Sequence, residues 1–243
     1  MTAVHDYRRA VLSLIERSAD QDQHLADASE LIARSLLGGG VLHVFGSGHS
    51  MLPAIDATFR AGGLAPVNLV HDPSLAPWEP TRVSRIERLD GYGTAVADLQ
   101  DLREGEVIVV VSHSGINPVP TQVAQQASRR GLHVVAITSR EHSQAGTSRH
   151  PEGLRLLDVA DIVLDTHAPR GDVTLTLTDG TRTGPTSTIL ATVILHSLIL
   201  AAMERLGAEG TAPPVLTSMN TTGGDDRNDL ALAPFRERLS REP

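Results

Sequence analysis

The sequence predicts an α/β fold built on a doubly wound parallel sheet. Short apolar runs alternate with helical patterns from about residue 41 onward, which is the order of strands and helices in such a sheet. The run Glu106-Val-Ile-Val-Val-Val111 is apolar on both faces, as expected for a central parallel strand covered by helices. The five expected strands are 41–45, 66–70, 106–111, 132–137 and 161–164.

The helices around these strands have recognisable starts and ends. Residues 4–37 have helical apolar spacing throughout, and the Gly38-Gly-Gly40 run ends this N-terminal arm before the first strand. We expect the arm to pack on the sheet or on a second subunit. Asn117 and Pro118 mark a helix start that Gly131 closes, and residues 138–141 match a capping box.

The second half of the chain adds a hairpin, one long helix and a polar tail. Residues 175–184 alternate around a turn at Asp179-Gly180. Residues 185–206 form a helix so apolar that it needs cover on nearly every face. Beyond residue 207 the chain is polar, with a short helix near residues 230–239. We interpret residues 1–243 as a single domain, with an arm (1–40), an α/β core (41–206) and a C-terminal extension (207–243).

Composition excludes several classes of function. The 243 residues carry a formal net charge of −8, which disfavours nonspecific binding to nucleic acid or anionic membranes. Cys is absent, which excludes disulfides and a Cys nucleophile and fits a cytoplasmic location. All 21 basic residues are Arg, so a Schiff-base lysine and the lysine of a P-loop are excluded. Neither a signal sequence nor a run of eighteen apolar residues is present.

Two serine- and glycine-rich loops follow predicted strands and are the strongest candidate site. Val44-Phe-Gly-Ser-Gly-His-Ser50 leaves the first strand and Val111-Ser-His-Ser-Gly115 leaves the third. Ligands of such sheets bind beyond the carboxyl ends of the strands, where helix N-termini favour anions. The hydroxyls of Ser50, Ser112 and Ser114 can donate to phosphoryl oxygens. Each loop taken alone is also consistent with a capped strand-to-helix turn.

A dinucleotide-binding site is the alternative for the first loop. Gly46 and Gly48 begin the required glycine pattern, and Asp72 could serve as the ribose-binding acid. Met51, however, stands where the third glycine belongs, and the second serine loop has no role in that scheme.

The chain resembles the SIS (sugar isomerase) domain family, most closely its stand-alone phosphosugar-binding branch, the UPF0309-like proteins. The resemblance covers nearly the whole chain. It rests on these segments: Val44-Phe-Gly-Ser-Gly-His-Ser50, Arg60-Ala-Gly-Gly-Leu-Ala-Pro-Val67, Gly91-Tyr92, Ser112-His-Ser-Gly-Ile-Asn-Pro-Val-Pro120, His150-Pro-Glu-Gly153, Gly184-Pro-Thr-Ser-Thr188, Pro214-Val215, Asn220, Gly223-Gly-Asp225 and Asn228.

This resemblance implies a flavodoxin-like, three-layer α/β sandwich with a five-stranded parallel sheet that binds phosphorylated sugars. The phosphate would be held by the loop of Ser112, His113 and Ser114, helped by Asn117. The sugar pocket would contain residues of the first loop and of the start of the last helix, namely Ser47, His49, Ser50, Thr186, Ser187 and Thr188. No cofactor is implied.

Asp56 and His196 are the candidate catalytic residues. SIS enzymes commonly remove a proton beside a carbonyl, a step that needs a base. By resemblance, Asp56 stands where the close branch usually carries Glu, and His196 matches an acid–base histidine of phosphoheptose isomerases. From the residues alone, Asp56 is equally a partner of Arg60 on its helix, and His196 a hydrogen-bonded core histidine.

His49, His113 and His167 follow predicted strands, and three such residues could ligate zinc. No spacing requires it, so we predict no metal site.

The resulting hypothesis is an enzyme that abstracts the C2 proton of a hexose or (N-acetyl)amino-sugar 6-phosphate. It would be an isomerase, or a lyase that dehydrates an N-acetylhexosamine 6-phosphate. The alternative is a non-catalytic module that senses a phosphosugar. Because relatives build active sites at subunit contacts, we expect a homodimer or homotetramer, with the C-terminal extension folded over the pocket of this subunit or a neighbour.

Overall fold

Five parallel strands form one sheet in the order β2-β1-β3-β4-β5 in the computed structural model, which describes residues 2–239. Each strand starts and ends within one residue of its predicted bounds, so the predicted fold class is confirmed. The strands are β1 (Leu42–Gly46), β2 (Val67–Val70), β3 (Val107–Val111), β4 (His133–Thr138) and β5 (Ile162–Asp165).

Helices connect the strands and cover both faces of the sheet. They are α1 (Thr2–Arg17), α2 (Asp22–Leu37), α3 (Met51–Asp56), α4 (Pro80–Ile86), α5 (Tyr92–Asp98), α6 (Pro118–Arg129), α7 (Arg140–Ala145), α8 (Leu156–Val159), α9 (Ser187–Ala208) and α10 (Gly224–Leu232). The predicted hairpin is present as β6 (Leu175–Thr176) and β7 (Arg182–Thr183). The capping box predicted at residues 138–141 does not form; Ser139 caps α7 instead, and its Oγ accepts from the His142 N–H (3.1 Å).

Alternating side chains of β3 divide the core into two layers. Val107, Val109 and Val111 pack with α2, α3 and α9, whereas Ile108 and Val110 pack with α5, α6 and α8. All five side chains are buried. This two-sided burial explains the continuous apolar run and gives the three-layer sandwich.

The N-terminal arm is helical throughout residues 4–37, as predicted, but it consists of two α-helices. A 3₁₀ turn at Ser18–Gln21 separates α1 from α2. The buried Gln21 amide pairs with the main chain of Asp165 at the end of β5: its nitrogen donates to the carbonyl (2.8 Å), and its oxygen accepts from the N–H (2.6 Å). Since β5 is the edge strand, Gln21 satisfies backbone groups that a further strand would otherwise pair.

Helix α9 is long and apolar enough to cross a membrane by length and composition alone. It instead packs against the sheet and α2, with eight of its side chains buried. Its outer side is less well covered than predicted, since Leu200 is 58% exposed and Ile189 is 39% exposed.

A buried charge network closes the amino edge of the sheet. Glu106 precedes β3, and its carboxylate accepts hydrogen bonds from the Val41 N–H (3.1 Å), from His43 Nε2 (2.9 Å) and from Arg238 (2.8 Å). Burial alone would raise the pKa of Glu106, but its hydrogen bond and electrostatic interaction with His43 and the hydrogen bonds from the Arg103 N–H and from Arg238 lower it to about 2. The carboxylate is therefore ionised, and both of its oxygens accept hydrogen bonds.

The C-terminal extension lies at this amino edge and not over the cleft of its own subunit, as the sequence had allowed. Val215 pairs with Leu64 in an isolated bridge, and Leu216 and Leu232 pack on Val41 in a small separate core. Arg238, near the end of the extension, pairs with the buried Glu106, and this ion pair holds the extension at the amino edge of the sheet. That the extension reaches a neighbouring subunit's pocket stays a prediction.

We expect Arg238→Met to lower the free energy of unfolding by about 3 kcal/mol, because it leaves the buried Glu106 carboxylate without its cation. The matched control is Arg236→Met, which removes an exposed pair with Asp229 and should change stability by under about 0.5 kcal/mol. Urea unfolding of the three proteins measures both values. Equal stability of the two variants would show that the Arg238–Glu106 pair does not stabilise the folded protein.

Candidate functional site

A cleft of about 280 Å³ opens at the carboxyl edge of the sheet. The loops after β1 and β3 form its floor, and the chain that follows β2 forms one wall. Eight of the ten predicted binding residues line it, namely Ser47, His49, Ser50, Ser112, His113, Ser114, Asn117 and Ser187. The volume is close to the lower bound for small-molecule sites, which suits a ligand the size of one sugar phosphate.

Both loops depend on a glycine. A Cβ on Gly46 would lie 2.1 Å from the carbonyl oxygen of Ser50, so only glycine permits the chain to turn back so closely after β1. Gly115 has a φ of +59° and sits against Thr138 and Ser143, which again excludes a side chain. These turns hold Ser50 and Ser114 at the cleft.

The second loop is ordered by its own hydrogen bonds. Ser112 Oγ accepts from the Gly115 N–H (3.2 Å). Asn117 precedes α6, with Pro118 at the first helical position as predicted, but its side chain does not cap the helix. Asn117 Oδ1 instead accepts from Arg149 Nη1 (2.8 Å), which places a guanidinium beside the cleft. Sequence reasoning missed Arg149, since no spacing links it to this loop.

Asp172 organises the start of α9. Its carboxylate accepts from the N–H groups of Thr186 (2.8 Å) and Ser187 (2.9 Å) and from the Ser187 hydroxyl (2.7 Å). Burial alone would raise the pKa of Asp172, but these hydrogen bonds lower it. Of the three residues predicted here, Ser187 lines the cleft. Thr186 is buried against Asp172, and Thr188 lines a small adjoining cavity beside Ser50 and His113.

Glu87 is a second residue that sequence reasoning missed. It follows α4, lines the cleft, and accepts a hydrogen bond from Ser47 Oγ (3.1 Å). Its carbonyl oxygen accepts from the Val119 N–H (3.2 Å), which ties its backbone to α6. Burial raises the pKa of the Glu87 carboxyl, and this effect exceeds the opposing effects of Ser47, Arg88 and Arg149.

His113 lines both the cleft and the adjoining cavity. Its two ring nitrogens are buried, and no group within residues 2–239 hydrogen-bonds to either. Burial and the neighbouring His142, whose ring centroid is 4.6 Å away, lower the pKa of His113 to about 4. The imidazole is therefore neutral near pH 7, with one donor and one acceptor nitrogen.

Asp56 and His196 are in contact, which two residues that act as a catalytic pair require. His196 Nε2 lies 2.7 Å from Asp56 Oδ2, and Arg60 also binds this carboxylate. Burial alone would raise the pKa of Asp56, but the hydrogen bond from His196 and the Arg60 charge lower it. Neither Asp56 nor His196 is among the residues found to line the cleft, and His196 borders a separate groove between α9 and the segment 57–64 that follows α3.

The remaining candidates have other partners. His49 is exposed at the rim of the cleft, and His167 Nδ1 lies 3.3 Å from Asp165. In the part of the chain that the structure describes, no group of three or more His, Asp or Glu side chains could hold a metal ion. Asp72, considered as a ribose ligand, accepts from the Ser74 N–H (2.7 Å) and from the Tyr92 hydroxyl (3.0 Å).

Comparison with known proteins gives a consistent result. A family profile described as the SIS domain matches residues 6–139. A UPF0309 protein of Streptomyces avermitilis is 38% identical over 235 residues, covering 95% of this chain and 94% of that protein. UPF0309 protein ABC0887 of Shouchella clausii is 34% identical over 243 residues, covering 98% and 99% of the two chains.

Solved structures support the fold at low sequence identity. A phosphoheptose isomerase from Francisella tularensis superposes with a TM-score of 0.57 at 15% identity, covering 83% of this chain and 96% of that one. The Vibrio vulnificus NanR protein complexed with ManNAc-6P gives a TM-score of 0.53 at 15% identity, covering 86% of this chain and 66% of that one.

We expect the buried His113 to make stability fall at mildly acidic pH. The unfolded state takes up a proton near pH 6.5 and the folded state only near pH 4. Lowering the pH from 7 to 5 should therefore reduce the free energy of unfolding by about 2 kcal/mol more in the parent than in His113→Gln. Urea unfolding at both pH values measures the difference. Parallel losses in the two proteins would contradict a folded-state pKa near 4.

Proposed function

The chain belongs to the SIS domain family, and we propose that it binds a hexose or (N-acetyl)amino-sugar 6-phosphate in the cleft and abstracts the proton on C2. The observation that carries the proposal is the convergence of two serine loops at one end of one cleft. Hydroxyls, main-chain N–H groups and the N-terminus of α6 are the groups that bind a phosphate in a chain without Lys.

The phosphate belongs, in this proposal, to the loop of Ser112 and Ser114. Arg149, held beside the loop by Asn117, supplies the positive charge that the serines lack. The sugar then extends toward Ser47 and Ser50 of the first loop. ManNAc-6P, bound by the NanR protein of similar fold, is a ligand of this class.

The proposed reaction begins with removal of the C2 proton beside the C1 carbonyl. Return of the proton to C1 gives an isomerase, and loss of a substituent from C3 gives a lyase. The similarity of fold to phosphoheptose isomerases supports isomerisation. The alternative reaction in this proposal is the dehydration of an N-acetylhexosamine 6-phosphate. The assignment of Asp56 and His196 as acid–base groups stays a prediction.

Two further predictions accompany the proposal. A homodimer or homotetramer with shared active sites would cover the exposed Leu200 and Ile189 of α9. The absence of Cys supports a cytoplasmic location as part of the proposal.

Replacing both Ser112 and Ser114 by Ala should weaken binding of the sugar phosphate at least about tenfold, because two hydrogen bonds to a charged group are lost. Thermal shift against a panel of hexose and N-acetylhexosamine 6-phosphates selects the ligand, and calorimetry measures its affinity. The control is Ser128→Ala, an exposed serine near the far end of α6. Unchanged affinity in the double variant would place the phosphate elsewhere.

Solvent deuterium should appear at C2 of the bound sugar phosphate when the parent protein is incubated with it in D₂O. An enzyme that forms an enediolate exchanges this proton even when little product accumulates, whereas a sensing module leaves it in place. Proton NMR of the sugar measures the exchange. Tight binding without exchange would favour the non-catalytic sensing module.

A further inference from the structure

We infer that Glu87 is the base that removes the C2 proton. The inference rests on the proposed function, because it assigns the proton-transfer step of that reaction to a group within the cleft. It differs from the assignment of Asp56 that the sequence suggests.

Location is the first argument. Glu87 lines the cleft together with both serine loops, whereas Asp56 is not found among the lining residues and its partner His196 borders another groove. Glu87 enters from the chain after β2, and Ser112 and Ser114 enter from the loop after β3. A sugar whose phosphate lies on the serines therefore has its other carbons available to a carboxylate supplied by a different segment.

The bonding of the two carboxylates is the second argument. Glu87 accepts from the neutral hydroxyl of Ser47, and no cation within residues 2–239 hydrogen-bonds to it. Asp56 is bound by both Arg60 and His196. Burial accordingly raises the pKa of Glu87, while its partners lower that of Asp56. A carboxylate of raised pKa is the stronger base and gives up its proton less readily once it is protonated.

The orientation of Glu87 is set before any substrate arrives. Its backbone is tied to α6 through the Val119 N–H, and its side chain is held by Ser47, the first residue after β1. Two elements that carry the serine loops thus also fix the carboxylate. A base positioned in this way reacts without first being ordered by the substrate.

The step balances without a cofactor. The Glu87 carboxylate forms an O–H bond as the C2–H bond breaks, the electron pair becomes the C1–C2 double bond, and the carbonyl π pair moves onto O1. For isomerisation, the Glu87 carboxyl returns the proton to C1 while the O2 proton passes to O1. An aldose phosphate thereby becomes a ketose phosphate with no net oxidation.

The test compares C2 deuterium exchange in Glu87→Gln, Asp56→Asn and the parent. The probe is the hexose or N-acetylhexosamine 6-phosphate that gives the parent its largest rise in Tm. Gln keeps the shape and still accepts from Ser47, so we expect Glu87→Gln to bind within about threefold of the parent but exchange roughly 10²–10⁴-fold more slowly. Asp56→Asn tests the alternative base: loss of exchange in this variant, with exchange retained in Glu87→Gln, would assign the proton transfer to Asp56 instead. The matched control is Glu79→Gln, an exposed glutamate before α4 that should leave binding and exchange unchanged.

Each of the other outcomes of this experiment contradicts one part of the proposal. Exchange at the parental rate in Glu87→Gln, or its loss in Asp56→Asn alone, shows that Glu87 is not the base. A parent that binds the sugar phosphate without exchange removes the catalytic assignment and leaves a sensing module. A parent that binds none of the panel overturns the proposed function itself. If Glu87→Gln lowers Tm, Glu87→Asp is used: a shortened base should lower the exchange rate while the affinity persists, and full exchange contradicts the assignment.

Discussion

The hydrogen-bonded register between β1 and β3 determines where every group of the cleft stands. Gly46 pairs with Val111, and each is the last residue of its strand, so Ser47 and Ser112 leave the sheet side by side. Chain connections place β2 on the other side of β1, which brings α4 and Glu87 to the same opening. A slip of one residue between β1 and β3 would exchange the side chains that face the two core layers, and the packing of each layer opposes it.

Each edge of the sheet holds a carboxylate, and the two carboxylates have different hydrogen-bond partners. At the amino edge, Glu106 is surrounded by donors and a cation, which makes it ionised and chemically silent. At the carboxyl edge, the half-buried Glu87 is hydrogen-bonded to the Ser47 hydroxyl, and His113 has unpartnered ring nitrogens among residues 2–239. Unpaired buried groups cost folding free energy, so their concentration at one edge is typical of a binding or catalytic site.

The sequence predicted the features that depend on neighbouring residues in the chain. The strands followed from apolar runs, and the serine loops followed from glycines next to strand ends. Features that depend on distant contacts were missed. The break at Ser18–Gln21 reflects a pairing with Asp165, which lies 144 residues beyond Gln21. Glu87 stood in a polar stretch without periodicity, and it lines the cleft because α4 and α6 hold it there.

The contact between Arg238 and Glu106 also orders events during synthesis. The two residues are 132 positions apart, so at the rates of translation β3 leaves the ribosome roughly ten seconds before its counter-charge exists. Until then Glu106 has His43 and main-chain donors but no guanidinium, and its burial is correspondingly unfavourable. We therefore expect the amino edge of the nascent sheet to stay hydrated until the C-terminal extension docks.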